Sequence, residues 1–184
     1  MDITSFSFLS SGFLLGIKHA FDADHISAIS TFVTKHKSIR RSYLFGMFWG
    51  FGHMISLLVV GLVILLLKLP IPEKTALSLE FITGIMLVLL GLNVLITTNK
   101  NQIQNHHYKH LPFCQSFFVG IIHGLAGSAA LTLLVLTTIR SFWIGFIYIL
   151  IFSIGSIIAT ILISIIISLP FKLITDKFDR DQRM

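Results

Sequence analysis

The sequence predicts an all-α fold, a polytopic bundle of membrane-spanning helices. Of its 184 residues, 54% are hydrophobic and only 12% are charged, and the mean hydropathy is +0.88. An ordinary soluble domain has about 25% charged residues, so this composition is typical of a membrane protein. The single cysteine, Cys114, excludes an internal disulfide framework and a metal cage built from thiolates.

Four uncharged runs are long enough to cross the hydrocarbon layer, and they cover residues 42–67, 81–99, 115–139 and 141–171. The segment 6–33 precedes them and adds a fifth predicted transmembrane helix. It lacks a basic region before it, so we expect it to be retained rather than cleaved as a signal peptide. The whole chain, 1–184, is predicted to form a single transmembrane domain, with 171–184 as a cytoplasmic or interfacial tail.

Basic residues predict the orientation of these helices. Ten lysines and arginines fall on one side, in the loop 35–41, the loop 100–110 and the tail after Pro170. The opposite side has three, namely Lys68, Lys74 and Arg140. The positive-inside rule therefore places the N-terminus outside and the 35–41 loop in the cytoplasm, in a protein of the cytoplasmic membrane. This distribution also accounts for the net charge of +6 without nucleic-acid binding.

The chain contains a weak internal repeat. The run Gly16-Ile17-Lys18-His19-Ala20 resembles residues 120–124 at an offset of 104, and residues 51–55 match 154–158 at an offset of 103. Repeat one would cover about 6–99 and repeat two about 115–170, and three helices per repeat would make the second copy inverted. The partner of the third helix would begin near residue 184. We therefore expect a sixth helix to be missing, through truncation or because a partner chain or oligomer supplies it.

The first predicted helix carries a cluster of ionisable residues: Lys18, His19, Asp22, Asp24 and His25. Its three charged side chains would together cost about 8 to 10 kcal/mol in a bilayer if they had no partners. On a continuous helix four of them share one face, whereas Asp24 points away and needs another neighbour or a break in the helix. We expect Lys18 to hold Asp22 or Asp24 ionised when no metal is bound.

Three histidines lie near the middle of separate predicted spans, which is where secondary transporters bind their substrates. They are His19, His53 and His123. Imidazole and carboxylate ligands together suit Ni²⁺, Co²⁺ and Zn²⁺, and they argue against Cu(I) and Ca²⁺. Asn93, in the third helix, is a supporting candidate that either reaches this site or bonds between helices. His106, His107 and His110 either gather metal or simply form a solvated loop.

These motifs resemble those of the nickel/cobalt transporter family. His19-Ala20-Phe21-Asp22-Ala23-Asp24-His25 fits its His-x4-Asp-His signature, and Phe51-Gly52-His53 looks like its second motif. Residues 123–128 resemble a segment of its shorter branch, the six-helix urease-accessory-type nickel permeases. The resemblance implies uptake of Ni²⁺ or Co²⁺ through the cytoplasmic membrane, with His19, Asp24 and His25 as signature ligands. We expect the last helix of that branch to be missing from this chain.

The predicted function is therefore secondary transport of a divalent metal ion, with no enzymatic activity and no resident cofactor. Asp22, His53 and His123 would be supporting ligands or a gate, although His53 and His123 taken singly also fit a packing role. The chain has no nucleotide-binding motif, so the driving force would be an ion gradient or a separate partner. The alternatives are a metal efflux permease of the same fold and an intramembrane metalloenzyme, which would need more histidines at one membrane face.

Overall fold

The computed structural model describes residues 3–35, 38–67, 72–99, 111–126 and 141–181. This part of the chain is helical and contains no strand, which confirms the all-α prediction. The helices are α1 (Ile3–Ala20), α2 (Ala23–Lys35), α3 (Ile39–Leu67), α4 (Glu73–Asn99), α5 (Leu111–Ala126) and α6 (Phe142–Asp181).

Within these described ranges, three helices are long and apolar enough to cross a membrane: Ile39–Leu67, Glu73–Ile96 and Phe142–Pro170. They correspond to three of the predicted spans. The predicted span 115–139 begins in α5, whose apolar part is Phe113–Ala126, and its remainder lies outside the described residues. The three histidines of the 100–110 loop also lie outside them.

The first predicted span is divided into two helices, so it is not one continuous helix over 6–33, and the break that was the alternative for Asp24 is present. α1 ends at Ala20 and α2 begins at Ala23. The backbone N–H groups of Phe21 and Asp22 bond three residues back, and the carbonyl of Asp22 accepts the N–H of Ile26. An aspartate at the start of a helix is a favoured N-cap, because its side chain competes with continued helical bonding.

α3 is the central helix of the bundle. It packs against α5 on one side and α6 on the other, while α1 packs against α6. Trp49 of α3 lies in a buried cluster with residues of α2, α4 and α5. α4 is peripheral, since only 11% of its apolar window is buried, compared with 39% for α3 and 50% for α6. The centre of the bundle is therefore enclosed by α1, α2, α3, α5 and α6.

The close contacts between α1 and α6 are equivalent in sequence position to those between α5 and α3. A Cβ atom added at Gly16 of α1 would overlap the Phe152 carbonyl of α6, and one added at Gly120 of α5 would overlap the Trp49 carbonyl of α3. These positions are related by the offsets of 104 and 103 found in the sequence. The same correspondence relates Gly52 beside Phe117 to Gly155 beside Phe13. The division into two repeats stays a prediction, which these paired approaches support.

Candidate metal centre

The break in the first predicted span positions two histidines side by side. His19 lies in the last turn of α1 and His25 in the first turn of α2. Their ring centroids are 4.3 Å apart, with the rings nearly perpendicular. Discontinuous helices of this kind commonly form ion sites in transporters, because the break directs polar groups into the protein interior.

Two further histidines reach the same place from other helices. His53 of α3 has its ring centroid 5.1 Å from that of His25 and 5.5 Å from that of His19. His123 of α5 lies 4.5 Å from His25 on the same measure. Three imidazoles from three other helices thus surround His25, although the four histidines are separated by up to 104 residues in the chain.

All four histidines are buried, with between 0% and 4% of their surface exposed. Six of their ring nitrogens are buried without a hydrogen-bond partner: Nε2 of His19, both nitrogens of His25, both of His53, and Nδ1 of His123. An unsatisfied buried polar atom costs about 1 to 3 kcal/mol, so this arrangement is expensive if it serves only for packing. Lone pairs of neutral imidazoles are, however, good ligands for divalent transition metals.

Two carboxylates each contact one histidine of the cluster, either His19 or His123. Asp22 Oδ2 lies 2.8 Å from Nδ1 of His19, and Asp24 Oδ2 lies 2.9 Å from Nε2 of His123. The backbone N–H of His25 also donates to Oδ1 of Asp24 at 2.9 Å. Carboxylates that bind the second nitrogen of a histidine fix its ring orientation and make it a better metal ligand.

The expected pairing of Lys18 with an aspartate is wrong. Both carboxylates pair with histidines in the described side chains, and Lys18 is exposed. The pairing of residues 18 and 22 assumed a continuous helix, in which residues four apart lie on one face. Because α1 ends at Ala20, that geometry does not apply to Asp22.

An aromatic residue that the sequence analysis did not single out lines the cluster. The indole of Trp49 stacks on the ring of His53 at 5.1 Å, with an interplanar angle of 8°. It also contacts His25 edge-on at 4.9 Å and His123 at 5.4 Å. Trp49 lies one helical turn before His53, and this spacing is the signal that would have identified it.

The potential ligand atoms form two groups of three, within each of which they lie no more than 4.8 Å apart. One group contains His19, His25 and His53, and the other contains Asp24, His25 and His123. With metal–nitrogen bonds of about 2.0 to 2.1 Å, ligands on opposite sides of an ion are about 4 Å apart. Small side-chain adjustments would therefore suffice for either group to hold one ion.

The structure thus brings together five of the six predicted metal ligands. Asp22 belongs to neither group, and its contact with His19 makes it a positioning residue. Asn93 is exposed on α4 and also lies in neither group. That these residues bind metal remains a prediction.

Comparisons with known proteins bear on the family of this chain. Residues 5–112 match the family described as "High-affinity nickel-transport protein" (NicO). The chain belongs to this nickel-transport family. The Urease accessory protein UreH of Bacillus sp. (strain TB-90) is 41% identical over 179 residues, which cover 91% of this chain and 78% of that protein. No solved structure matches the chain.

Membership of the nickel-transport family identifies the chain as a multi-pass membrane transporter of metal ions rather than an enzyme. It excludes the metalloenzyme alternative. The resemblance predicted from the His-x4-Asp-His motif is confirmed. The part of the chain that matches the family includes His19, Asp24, His25 and His53, whereas His123 lies beyond it.

Proposed function

We propose that the protein takes up Ni²⁺, or Co²⁺ as the second choice, across the cytoplasmic membrane. Six unpartnered imidazole nitrogens at the centre of an apolar bundle are the observation that carries this proposal. Each of the four neutral imidazoles offers one lone pair in place of the water that a divalent ion must lose on entering the membrane. Asp24 adds one negative charge beside these neutral ligands, which offsets part of the charge of the ion.

The ligand chemistry favours Ni²⁺ and Co²⁺ over harder ions. The two groups contain four different imidazoles and one carboxylate, and no thiolate. Mg²⁺ and Ca²⁺ prefer shells made only of oxygen, whereas imidazole suits the later first-row metals. Zn²⁺ fits the same ligands, so the nickel-transport family is what favours nickel.

The decisive experiment measures accumulation of labelled nickel in cells that express the wild-type chain or a His19→Ala variant. We expect His19→Ala to abolish accumulation, because it removes a ligand and leaves the carboxylate of Asp22 without its partner. Leu14→Ala is the matched control, since Leu14 lies on α1 with 64% of its surface exposed. Equal accumulation by His19→Ala and wild type, at equal protein levels, would refute the proposed function.

The direction of transport has a separate test. Uptake predicts that deletion of the gene makes cells need more external nickel. Efflux through the same fold predicts instead that the deletion strain becomes sensitive to nickel. The proposed orientation, with the N-terminus outside, would be tested by labelling a cysteine placed before α1 in intact cells with a reagent that does not cross the membrane.

We also propose that a partner chain or a second copy packs a helix against this bundle. α4 packs against α2 and α5, and the predicted repeat requires an equivalent helix on the opposite side. The measurement is the mass of the protein in detergent. A stable monomer that transports nickel would refute this part of the proposal.

A further inference from the structure

The two ligand groups differ in how far their side chains are exposed at the surface of the protein. We call His19, His25 and His53 the occluded group, because all three are buried. We call Asp24, His25 and His123 the accessible group, because the side chain of Asp24 is 37% exposed. The two groups have only His25 in common.

His25 is suited to hold an ion in either group. It is fully buried, and neither of its ring nitrogens has a hydrogen-bond partner. The rings of His19 and His123 lie at nearly equal distances from it, 4.3 and 4.5 Å. A neutral imidazole has one lone pair available for a metal, so His25 serves one group at a time.

We propose that the ion occupies two successive positions that share His25. The ion first binds Asp24, His25 and His123 in the accessible group. It then exchanges Asp24 and His123 for His19 and His53, while His25 remains bound. This inference rests on the proposed transport of a divalent ion and adds that its site is a pair of overlapping positions.

The charges of the two groups give this order a physical reason. The accessible group contains a carboxylate, which attracts a hydrated dication and replaces its first water ligands. The occluded group offers three neutral imidazoles and therefore leaves the full charge on the ion. Binding there is weaker in electrostatic terms, which allows release, as conduction through a selective site requires.

The experiment uses Co²⁺ and the intrinsic fluorescence of Trp49, which contacts three of the histidines. The chain has two tryptophans. Trp143 is 69% exposed and is replaced by Trp143→Phe in every sample, so that quenching by the bound ion reports on the cluster alone. The stoichiometry and affinity of Co²⁺ binding are measured on the purified protein in detergent, and the uptake of labelled nickel is measured in cells.

His53→Gln removes a ligand from the occluded group only, and His123→Gln removes one from the accessible group only. We expect wild type to bind one ion. His53→Gln should still bind one ion with nearly unchanged affinity, and His123→Gln should bind one ion less tightly, but by less than about 100-fold. Neither should accumulate nickel, because transport needs both positions. The double variant should lose binding. Val59→Ala and Ile122→Ala, at exposed positions of α3 and α5, are the matched controls.

Asp24→Asn provides a test with a smaller risk of misfolding, because Asp24 is partly exposed. It should retain binding through the occluded group but slow the association of Co²⁺. If the five ligands instead formed one site that binds the ion with all of them together, each single variant would lose more than roughly 100-fold in its affinity for Co²⁺. This result would overturn the inference. Two ions bound to wild type would also overturn it. If wild type neither bound Co²⁺ nor accumulated nickel, the proposed function itself would fail.

Discussion

Asp22 allows the charge of a positioning residue to be separated from its hydrogen bond. Asp22→Asn keeps an oxygen that accepts the N–H of His19 but removes the negative charge. Adding the imidazole ring and a metal–nitrogen bond to the 2.8 Å contact places the carboxylate about 7 Å from an ion on Nε2 of His19. The Asp22 side chain is 48% exposed, and we use the dielectric constant of water, which gives the smallest attraction.

At that distance a dication and a carboxylate attract each other by about 1.2 kcal/mol in water, which corresponds to roughly sevenfold in affinity. We therefore expect Asp22→Asn to weaken Co²⁺ binding by roughly that factor, and less at high salt. Asp22→Ala also removes the hydrogen bond, so its loss should reach about 10 to 100-fold.

Quenching of Trp49 in the Trp143→Phe background measures both variants. Leu14→Ala should bind Co²⁺ as the unsubstituted protein does, because this leucine lies on the exposed side of α1. Unchanged affinity in both Asp22 variants would refute the reasoning that Asp22 orients His19 toward the ion. A complete loss of binding in Asp22→Asn would refute it as well, since it would make Asp22 a direct ligand.

Three other results are expected. Gly16→Ala should prevent the close approach of α1 to the Phe152 carbonyl and reduce the yield and thermal stability of the protein in detergent, whereas Gly91→Ala, which has no atom within 4 Å of its added Cβ, should not. Ser116→Ala should lower stability by about 1 kcal/mol, because it removes the 2.9 Å bond to the Phe45 carbonyl; an unchanged melting temperature would contradict this. Half-maximal binding of Co²⁺ should require more metal as the pH falls, because protons compete for the imidazole nitrogens, and a titration that does not depend on pH would exclude histidine ligands.

The cost of charge in a membrane allowed the centre of the site to be predicted. Residues as polar as His19, Asp24 and His25 do not occur together in an apolar segment without a function or a set of partners. The sequence could not show that His53 and His123 meet them, because helix packing brings these residues together from separate segments. The glycines that allow this packing act through backbone contacts such as that of Gly120 with the Trp49 carbonyl.

The interruption between α1 and α2 was harder to predict. The ionisable cluster between Lys18 and His25 interrupts the apolar residues of 6–33, but polarity alone does not show that the helix ends at Ala20. Asp22 was the available signal, since aspartate favours helix starts. The wrong pairing of Lys18 followed from the assumption that residues 18 and 22 lie on one continuous helix. The role of Trp49 was hidden because an aromatic residue in an apolar helix usually belongs to the packed core.

The central claim is that a divalent ion binds the buried imidazoles, and X-ray absorption at the nickel edge tests it most directly. Purified protein would be loaded with one equivalent of Ni²⁺ and compared with a His25→Gln variant. The claim predicts at least two imidazole ligands in wild type, because one group contains three imidazoles and the other contains two. It also predicts their loss in His25→Gln. A shell made only of oxygen, or the same spectrum in both proteins, would contradict it.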